Sequence, residues 1–201
     1  MTTKLYRTIP EQIAETLRRD IISGRLAADM SLREQELSVR FAVSRGPVRD
    51  ALARLVQQGL IVSEPNKGVR VARAPSNTVR PLVTKIRCTI EVFALDSGFE
   101  KITPEDTDHW DSILQDLRSA CERRDVNELR EIDIRFHEAI IQSHDERDLH
   151  ALWQPVTMRT MIVYSPLGNL MDSYMEHRAI LDAIRAGDKS AAIRALESNI
   201  V

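Results

Sequence analysis

Apolar residues recur at three- and four-residue steps through most of the chain, and the places where that rhythm breaks divide it. Ile13, Leu17 and Ile21 stand four apart while Glu11, Glu15, Arg18 and Arg19 take other faces, which predicts a helix from about Pro10 to Ser23 that Gly24 ends. Ser31 and Glu34 have the spacing of a capping box, in which hydroxyl and carboxylate each satisfy a free backbone amide, so a second helix is expected from there to about Phe41. Ser44 is a suitable N-cap, and Pro47 falls in a first turn, where its missing N–H breaks no intrahelical bond. Val48, Ala51, Leu52 and Leu55 then form one stripe of a third helix reaching about Gln58. Beyond Gly59 the pattern changes. Leu60 to Val62 and Val69 to Val71 read as short β runs around the turn-forming Pro65, Asn66, Lys67 and Gly68, which predicts a wing.

After Ala74, Pro75 and Ser76 the pattern is helical throughout, with elements expected near 78–98, 104–123, 126–143, 147–164, 170–186 and 188–200 and no strand signal. Thr103, Pro104, Glu105 and Asp106 mark a helix start, with an N-cap, a proline at the first position and acids facing the helix dipole. Gly187 and Asp188 mark a tight turn. The expected fold class is mainly α: an N-terminal winged helix-turn-helix over residues 1–75, then an antiparallel all-helical bundle of about six helices over residues 76–201.

Composition adds one decisive fact. With 43% hydrophobic and 29% charged residues in 201, the chain is an ordinary globular sequence with material for two small domains. Its net charge of −2 conceals a split, because residues 1–75 hold 13 Lys and Arg against 8 Asp and Glu, a net +5, leaving −7 on the rest. A basic front half points to nucleic acid. Cys88 and Cys121 are far apart, and the first residues lack the apolar segment of a secretory signal, so a cytoplasmic, reducing location is expected. No apolar run approaches the roughly 18 residues that cross a bilayer, so no membrane partner is expected.

Three helices and a wing put the third helix in the position that enters a major groove. Arg45 and Arg49 lie one turn apart beside its apolar stripe, and arginine is the side chain best suited to bidentate contact with guanine. Arg33 can reach a phosphate or base, Ser44 and the helix-start amides suit phosphate, and Lys67 and Gly68 sit at the wing tip, where glycine allows close approach to a minor groove. Arginines on a helix are more often merely solvated; here helix order, cap, spacing, wing and charge coincide.

The run ELSVRFAVSRGPVRDALARLVQQGL, ending at Leu60, resembles the GntR family signature, and the EPNKGVRV that soon follows resembles its wing. That resemblance implies a homodimer binding a palindromic double-stranded operator, with contacts carried onto Arg33, Ser44, Arg45, Arg49 and Gly68. One residue departs from the pattern: the family usually has threonine after the recognition arginine, and this chain has Gly46. The helical half resembles the FCD effector domain of the FadR subfamily in KIRCTIE (Lys85 to Glu91), DIRFHEAI (Asp133 to Ile140) and EHRAILDAIRAGDKSAAIRALESNI (Glu176 to Ile200). It implies a divalent metal such as zinc or nickel, held by one Asp and three His, and a small organic acid effector at or beside it.

The residues speak to that site in their own right. Asp133 and His137 are four apart on one helix face, flanking the stripe of Leu129, Ile132, Phe136 and Ile140, which makes a good half-site for a metal. His177 falls in a stripe with Tyr174, Leu181 and Ile184 and should point inward. Where the family's last histidine would fall stands Asn199, whose amide oxygen binds zinc less well than imidazole does. Three readings stay open: a metal held by Asp133, His137 and His177 with Asn199 or water, a metal-free effector pocket, or a satisfied polar core network. His144 is a possible substitute ligand; His109 and His150 read as surface residues. Arg87 could bind an effector carboxylate or simply pair with Glu91 at i+4, and Tyr164 and Tyr174 could line a pocket or fill a core.

The expected function is a ligand-responsive transcription repressor, not an enzyme. Two rivals remain at this level: an architectural DNA binder whose helical half only dimerises, and a metal-dependent hydrolase built on Asp133, His137 and His177, for which no positioned general base is visible.

Overall fold

A computed structural model of the chain describes residues 8–65, 68–143, 146–162 and 169–200. Lys67, His144 and Tyr164, all singled out above, lie outside the described residues. The chain divides into two compact units, Met1–Ala74 and Pro75–Val201. Among the described residues no helix is long and apolar enough to cross a membrane.

The first unit holds α1 (Ile9–Ile22), α2 (Glu34–Phe41), α3 (Arg45–Gln57), β1 (Ile61–Glu64) and β2 (Gly68–Val71). A complete capping box between Thr8 and Glu11 starts α1, with Pro10 in its first turn. The stripe of α1, Ile13, Leu17 and Ile21, is buried together with Val48, Ala51, Leu52 and Leu55 of α3. Ala42 closes α2 in the left-handed conformation at φ 53°, and Val43 N–H donates to the Ser38 carbonyl, which folds the turn between α2 and α3 tightly. For a residue bearing a Cβ that conformation costs about 1 kcal/mol. The strands pair antiparallel with Ile61 opposite Val71 and Glu64 opposite Gly68.

The capping box expected at Ser31 does not form. The N-cap of α2 is Arg33, with no side-chain cap bond. Ser31 instead forms a β-bridge to Arg70, flanked by backbone bonds from Leu32 N–H to the Val69 carbonyl and from Val71 N–H to the Met30 carbonyl. A serine before a helix serves equally well at a strand edge, and burial of the adjacent Leu32 against the wing favours the strand.

The second unit is helical: α4 (Arg80–Gly98), a 3-10 turn at Phe99–Lys101, then α5 (Pro104–Arg123), α6 (Val126–Gln142), α7 (Arg147–Met161), α8 (Leu170–Arg185) and α9 (Lys189–Ile200). Thr103 and Asp106 cap α5 reciprocally, and Asp125 accepts the first amides of α6. Trp110, Leu114 and Leu117 of α5 meet Leu129, Phe136 and Ile140 of α6, Leu181 of α8 and Leu196 of α9 in one apolar core. Helix α4 packs against α6, α7 and α9, so the face it turns inward closes over α6.

Candidate functional site

Among the described residues two places concentrate candidate functional side chains, one in each unit. In the first unit Ser44, Arg45, Gly46 and Arg49 are all exposed at the start of α3. Ser44 is the N-cap, as its sequence position suggests, yet its side chain makes no cap bond, so its hydroxyl is uncommitted to its own helix. Arg45 makes no hydrogen bond or ion pair among the described residues. Arg49 does: its Nε donates to Oε1 of Glu34 at 3.0 Å and its Nη2 to Oε2 at 3.1 Å. Arg33, exposed at the N-cap of α2, donates from Nη1 to Glu36 at 3.2 Å. Gly68 begins β2 at φ 74°, a left-handed conformation that suits glycine, and a Cβ there would meet nothing within 4 Å. Glu34 is the residue that sequence reasoning missed here, because it was assigned to a cap.

In the second unit Asp133, His137 and His177 converge. One ligand atom from each lies within 4.8 Å of the others. Both histidines are fully buried and Asp133 is 4% exposed. Helix α6 supplies Asp133 and His137 one turn apart, and α8 brings His177 across. The edge of Phe136 packs near both imidazoles, at 5.8 Å from His137 and 5.1 Å from His177 between ring centres.

The outer contacts orient these rings. Nδ1 of His137 lies 2.6 Å from Oε2 of Glu91, an acceptor, so the ring's N–H points there and Nε2 faces the centre with its lone pair. Nδ1 of His177 likewise donates to the Ser173 carbonyl at 2.7 Å and leaves Nε2 inward. His177 Nε2 is 3.2 Å from Asp133 Oδ1 but out of line for a hydrogen bond, and Asp133 Oδ2 has no hydrogen-bond partner either. Two bare imidazole nitrogens and a carboxylate thus share one buried space, and the donor nearest to it among the described residues, Arg87 Nη2, stays 3.9 Å from Asp133 Oδ2, beyond hydrogen-bond reach. Converging acceptors in a dry interior fit a cation.

Glu91 anchors the arrangement. Its Oε1 accepts from Arg87 Nε and from Trp153 Nε1, each at 2.7 Å, while Oε2 meets His137. Burial alone would raise its pKa, but the charge of Arg87 and the hydrogen bonds from His137 and Arg87 hold it at about 2. Asp133 is also held well below the ordinary carboxylate range: burial opposes ionisation, and the nearby Arg87 guanidinium favours it. Trp153 and Ser173 are not singled out from the sequence, and Glu91 only as a possible partner of Arg87. Glu91 had a readable signal in its i+4 spacing from Arg87, whereas Trp153 had none and Ser173 acts through a backbone carbonyl that any residue there would offer.

Other expected residues fall elsewhere. Of the two alternatives for Arg87, the structure contains the ion pair with Glu91, buried, with Nη2 also 3.9 Å from Asp133 Oδ2. Tyr174 is half-buried against the apolar core. Asn199 requires a correction as a ligand: its amide nitrogen lies 3.3 Å from Nδ1 of His177, the ring nitrogen turned away from Asp133, and 3.3 Å from Glu176 Oε2. It sits half-exposed in the last turn of α9, on the Nδ1 side of the His177 ring, where a helical period no longer guarantees an inward face. His109 is exposed, and His150 is half-buried 2.7 Å from Glu138 Oε1, away from the centre.

Comparison with known proteins agrees with this division of the chain. Residues 9–71 match the family described as bacterial regulatory proteins, gntR family, and residues 83–200 match the FCD domain. The chain is 31% identical to the HTH-type transcriptional repressor RspR of Escherichia coli (strain K12), over 98% of this chain and 89% of that protein. It is 27% identical to the gluconate operon transcriptional repressor of Bacillus subtilis (strain 168), over 94% and 80%. Among solved structures, E. coli McbR/YncC superimposes with a TM-score of 0.82 at 21% identity, covering 97% of this chain and 94% of that one, which speaks to the fold alone.

Proposed function

The chain belongs to the GntR family of bacterial transcription regulators, with an FCD domain following the DNA-binding unit, and from that premise we propose that it is a repressor that grips a palindromic operator as a homodimer. The family consists of regulators rather than enzymes, so the hydrolase reading falls away. The observation that carries the proposal is the exposed start of α3, where Ser44, Arg45 and Arg49 stand together on a helix whose other face is core. Repression in particular rests on the printed roles of RspR and the gluconate operon protein.

Arg45 and Arg49 read base edges in the major groove, Ser44 and Arg33 hold phosphates, and Gly68, with Lys67, brings the wing to the adjacent minor groove. The homodimer reading is supported by α4, which with its N-cap Val79 leaves Val79, Leu82, Ile86 and Phe93 at least 40% exposed along one side. A stripe of that kind is characteristic of a surface that meets another protein, and in this reading the occupant is a second copy.

Asp133, His137 and His177 would hold a divalent ion, zinc or nickel, whose Lewis acidity supplies an anchor for the carboxylate of a small organic acid effector. Three protein ligands leave coordination positions for such a group. The chain's own contribution is orientation: Glu91 and the Ser173 carbonyl fix both imidazoles, and Arg87 and Trp153 fix Glu91. Arg87 is thereby a structural partner of Glu91, and Tyr174 a core residue, before either meets an effector.

Selection of duplexes from a random library by the full-length protein tests the DNA reading. A two-fold symmetric motif is expected, with Arg45→Ala and Arg49→Ala each weakening it about 5- to 100-fold. Recovery of no motif, or unchanged specific affinity in both variants, overturns it.

A further inference from the structure

The two arginines of α3 are held differently, and the difference has chemical content. Arg45 makes no hydrogen bond or ion pair among the described residues, though its charge also acts on Glu34. Arg49 meets Glu34, the first residue of α2, through two parallel bonds of 3.0 and 3.1 Å. The two residues are 15 positions apart, so the contact ties the entry of α2 to the exposed face of α3. As a source of stability it is minor, since an ion pair with Arg49 side chain 69% exposed contributes little in water.

Geometry gives it another use. A guanidinium carries five N–H groups in one plane, arranged along two edges that each offer two parallel donors. Glu34 occupies the edge formed by Nε and Nη2. The remaining edge, made by Nη1 and the outer hydrogen of Nη2, presents two donors at the spacing of guanine O6 and N7. A long side chain that would otherwise sample many rotamers is fixed in plane and direction before any duplex arrives, and the ordering cost of binding falls accordingly. The hydrogen bond with Arg49 lowers the Glu34 pKa, and the pair stays ionised across neutral pH.

We propose that Glu34 is a specificity-determining positioning residue, which touches no base itself but braces Arg49 so that the free edge of its guanidinium reads a single guanine in each half-site. The proposal rests on the assignment of Arg49 to base reading made above. Glu34 also sets a negative charge beside the duplex, so it opposes binding to arbitrary phosphate backbones while sharpening one base contact. Both effects raise the ratio of specific to non-specific affinity.

The test uses full-length protein and the duplex motif it selects from a random library. Affinities are measured for that duplex, for duplexes altered at each position of the half-site in turn, and for an unrelated duplex. The proteins are the native chain, Glu34→Gln, Arg49→Ala and the double variant, with circular dichroism melting to verify that each is folded. Arg49→Ala identifies the base pair that Arg49 reads. Glu34→Gln keeps the side-chain length and loses the charge; it is expected to lose about ten-fold discrimination at that same base pair, to keep discrimination elsewhere, and to bind the unrelated duplex at least as well as the native chain does. In the double variant no further loss is expected beyond that of Arg49→Ala.

If Arg49→Ala relaxes one position while Glu34→Gln leaves it intact, or weakens all positions equally, the brace is wrong and the arginine assignment stands. Should Arg49→Ala itself leave every position unchanged, the arginine assignment fails and the brace with it.

Discussion

Nδ1 of His137 lies 2.6 Å from Oε2 of Glu91, and both side chains are almost wholly out of water. The other oxygen of Glu91 carries the Arg87 and Trp153 bonds, so one carboxylate ties α4 to α6 and α7. Replacing it by the isosteric amide in Glu91→Gln leaves the Arg87 guanidinium buried opposite a neutral group. Removing one member of such a buried pair costs about 3 kcal/mol or more. Urea unfolding should show the loss as a lowered midpoint with an unchanged slope; an unchanged midpoint would mean that the charge of Glu91 contributes nothing to the fold.

The converging acceptors of Asp133, His137 and His177 predict stabilisation by an ion. A ligand that binds only the folded state adds about 2.7 kcal/mol at one hundred times its Kd, which for a chain of this size raises Tm by several degrees. Chelator-treated protein should gain that much on addition of zinc or nickel, and His137→Ala should gain nothing. A native Tm indifferent to both ions would remove the metal assignment.

Asp20 gives the first unit an acid limit. It is 6% exposed and accepts from Arg25 at 2.7 Å and Arg40 at 2.5 Å. Burial would raise its pKa from 3.8, but the hydrogen bonds and charges of Arg40 and Arg25 bring it below that value. A depressed folded-state pKa contributes stability that is complete above the unfolded value and disappears as pH falls through the folded one. Asp20→Asn should therefore cost about 1–2 kcal/mol at neutral pH, a range reduced because both arginines are partly exposed. Its deficit relative to the native chain should shrink below about pH 4, as denaturation followed across pH will reveal; a deficit of constant size from pH 3 to 7 would contradict the ion-pair account.

Gly46 is a helix-start glycine without a structural need for being one. A Cβ at that position would meet nothing within 4 Å, and its φ is not positive. Gly46→Ala should stabilise the protein by about 0.5 kcal/mol, the low end of the range because the first turn is less demanding than a helix interior. Gly46→Thr should in addition tighten operator binding by offering a hydroxyl to phosphate. Calorimetry and duplex titration separate the two effects, and a destabilised Gly46→Ala would indicate strain at the start of α3.

Periodicity made most of the fold readable: the stripes of α1 and α3 and the six helices of the second unit are long enough for spacing to dominate. The exception at Ser31 is instructive, because its hydroxyl favours a cap locally while pairing with Arg70 is decided by residues some forty positions away. The centre divides in the same manner. Asp133, His137 and His177 were legible because the first two flank an apolar stripe and the third falls within one, and a polar residue there must have a partner. Glu91 was hidden because Arg87 and Glu91 at i+4 look like any surface helix pair, and only packing by Trp153 and His137 makes the pair interior. The same ambiguity concealed Glu34, whose partner lies on another helix.

Helix α4 presents opposite characters on its two sides, Arg87 and Glu91 inward and Leu82, Ile86 and Phe93 outward. If the outer side is where two copies meet and ion uptake shifts α4, each equilibrium must alter the other by the same factor. Apparent zinc affinity would then vary with protein concentration, steeply near the association midpoint and flat on either side. Sedimentation of ion-free and ion-loaded protein would register the same quantity from the opposite direction.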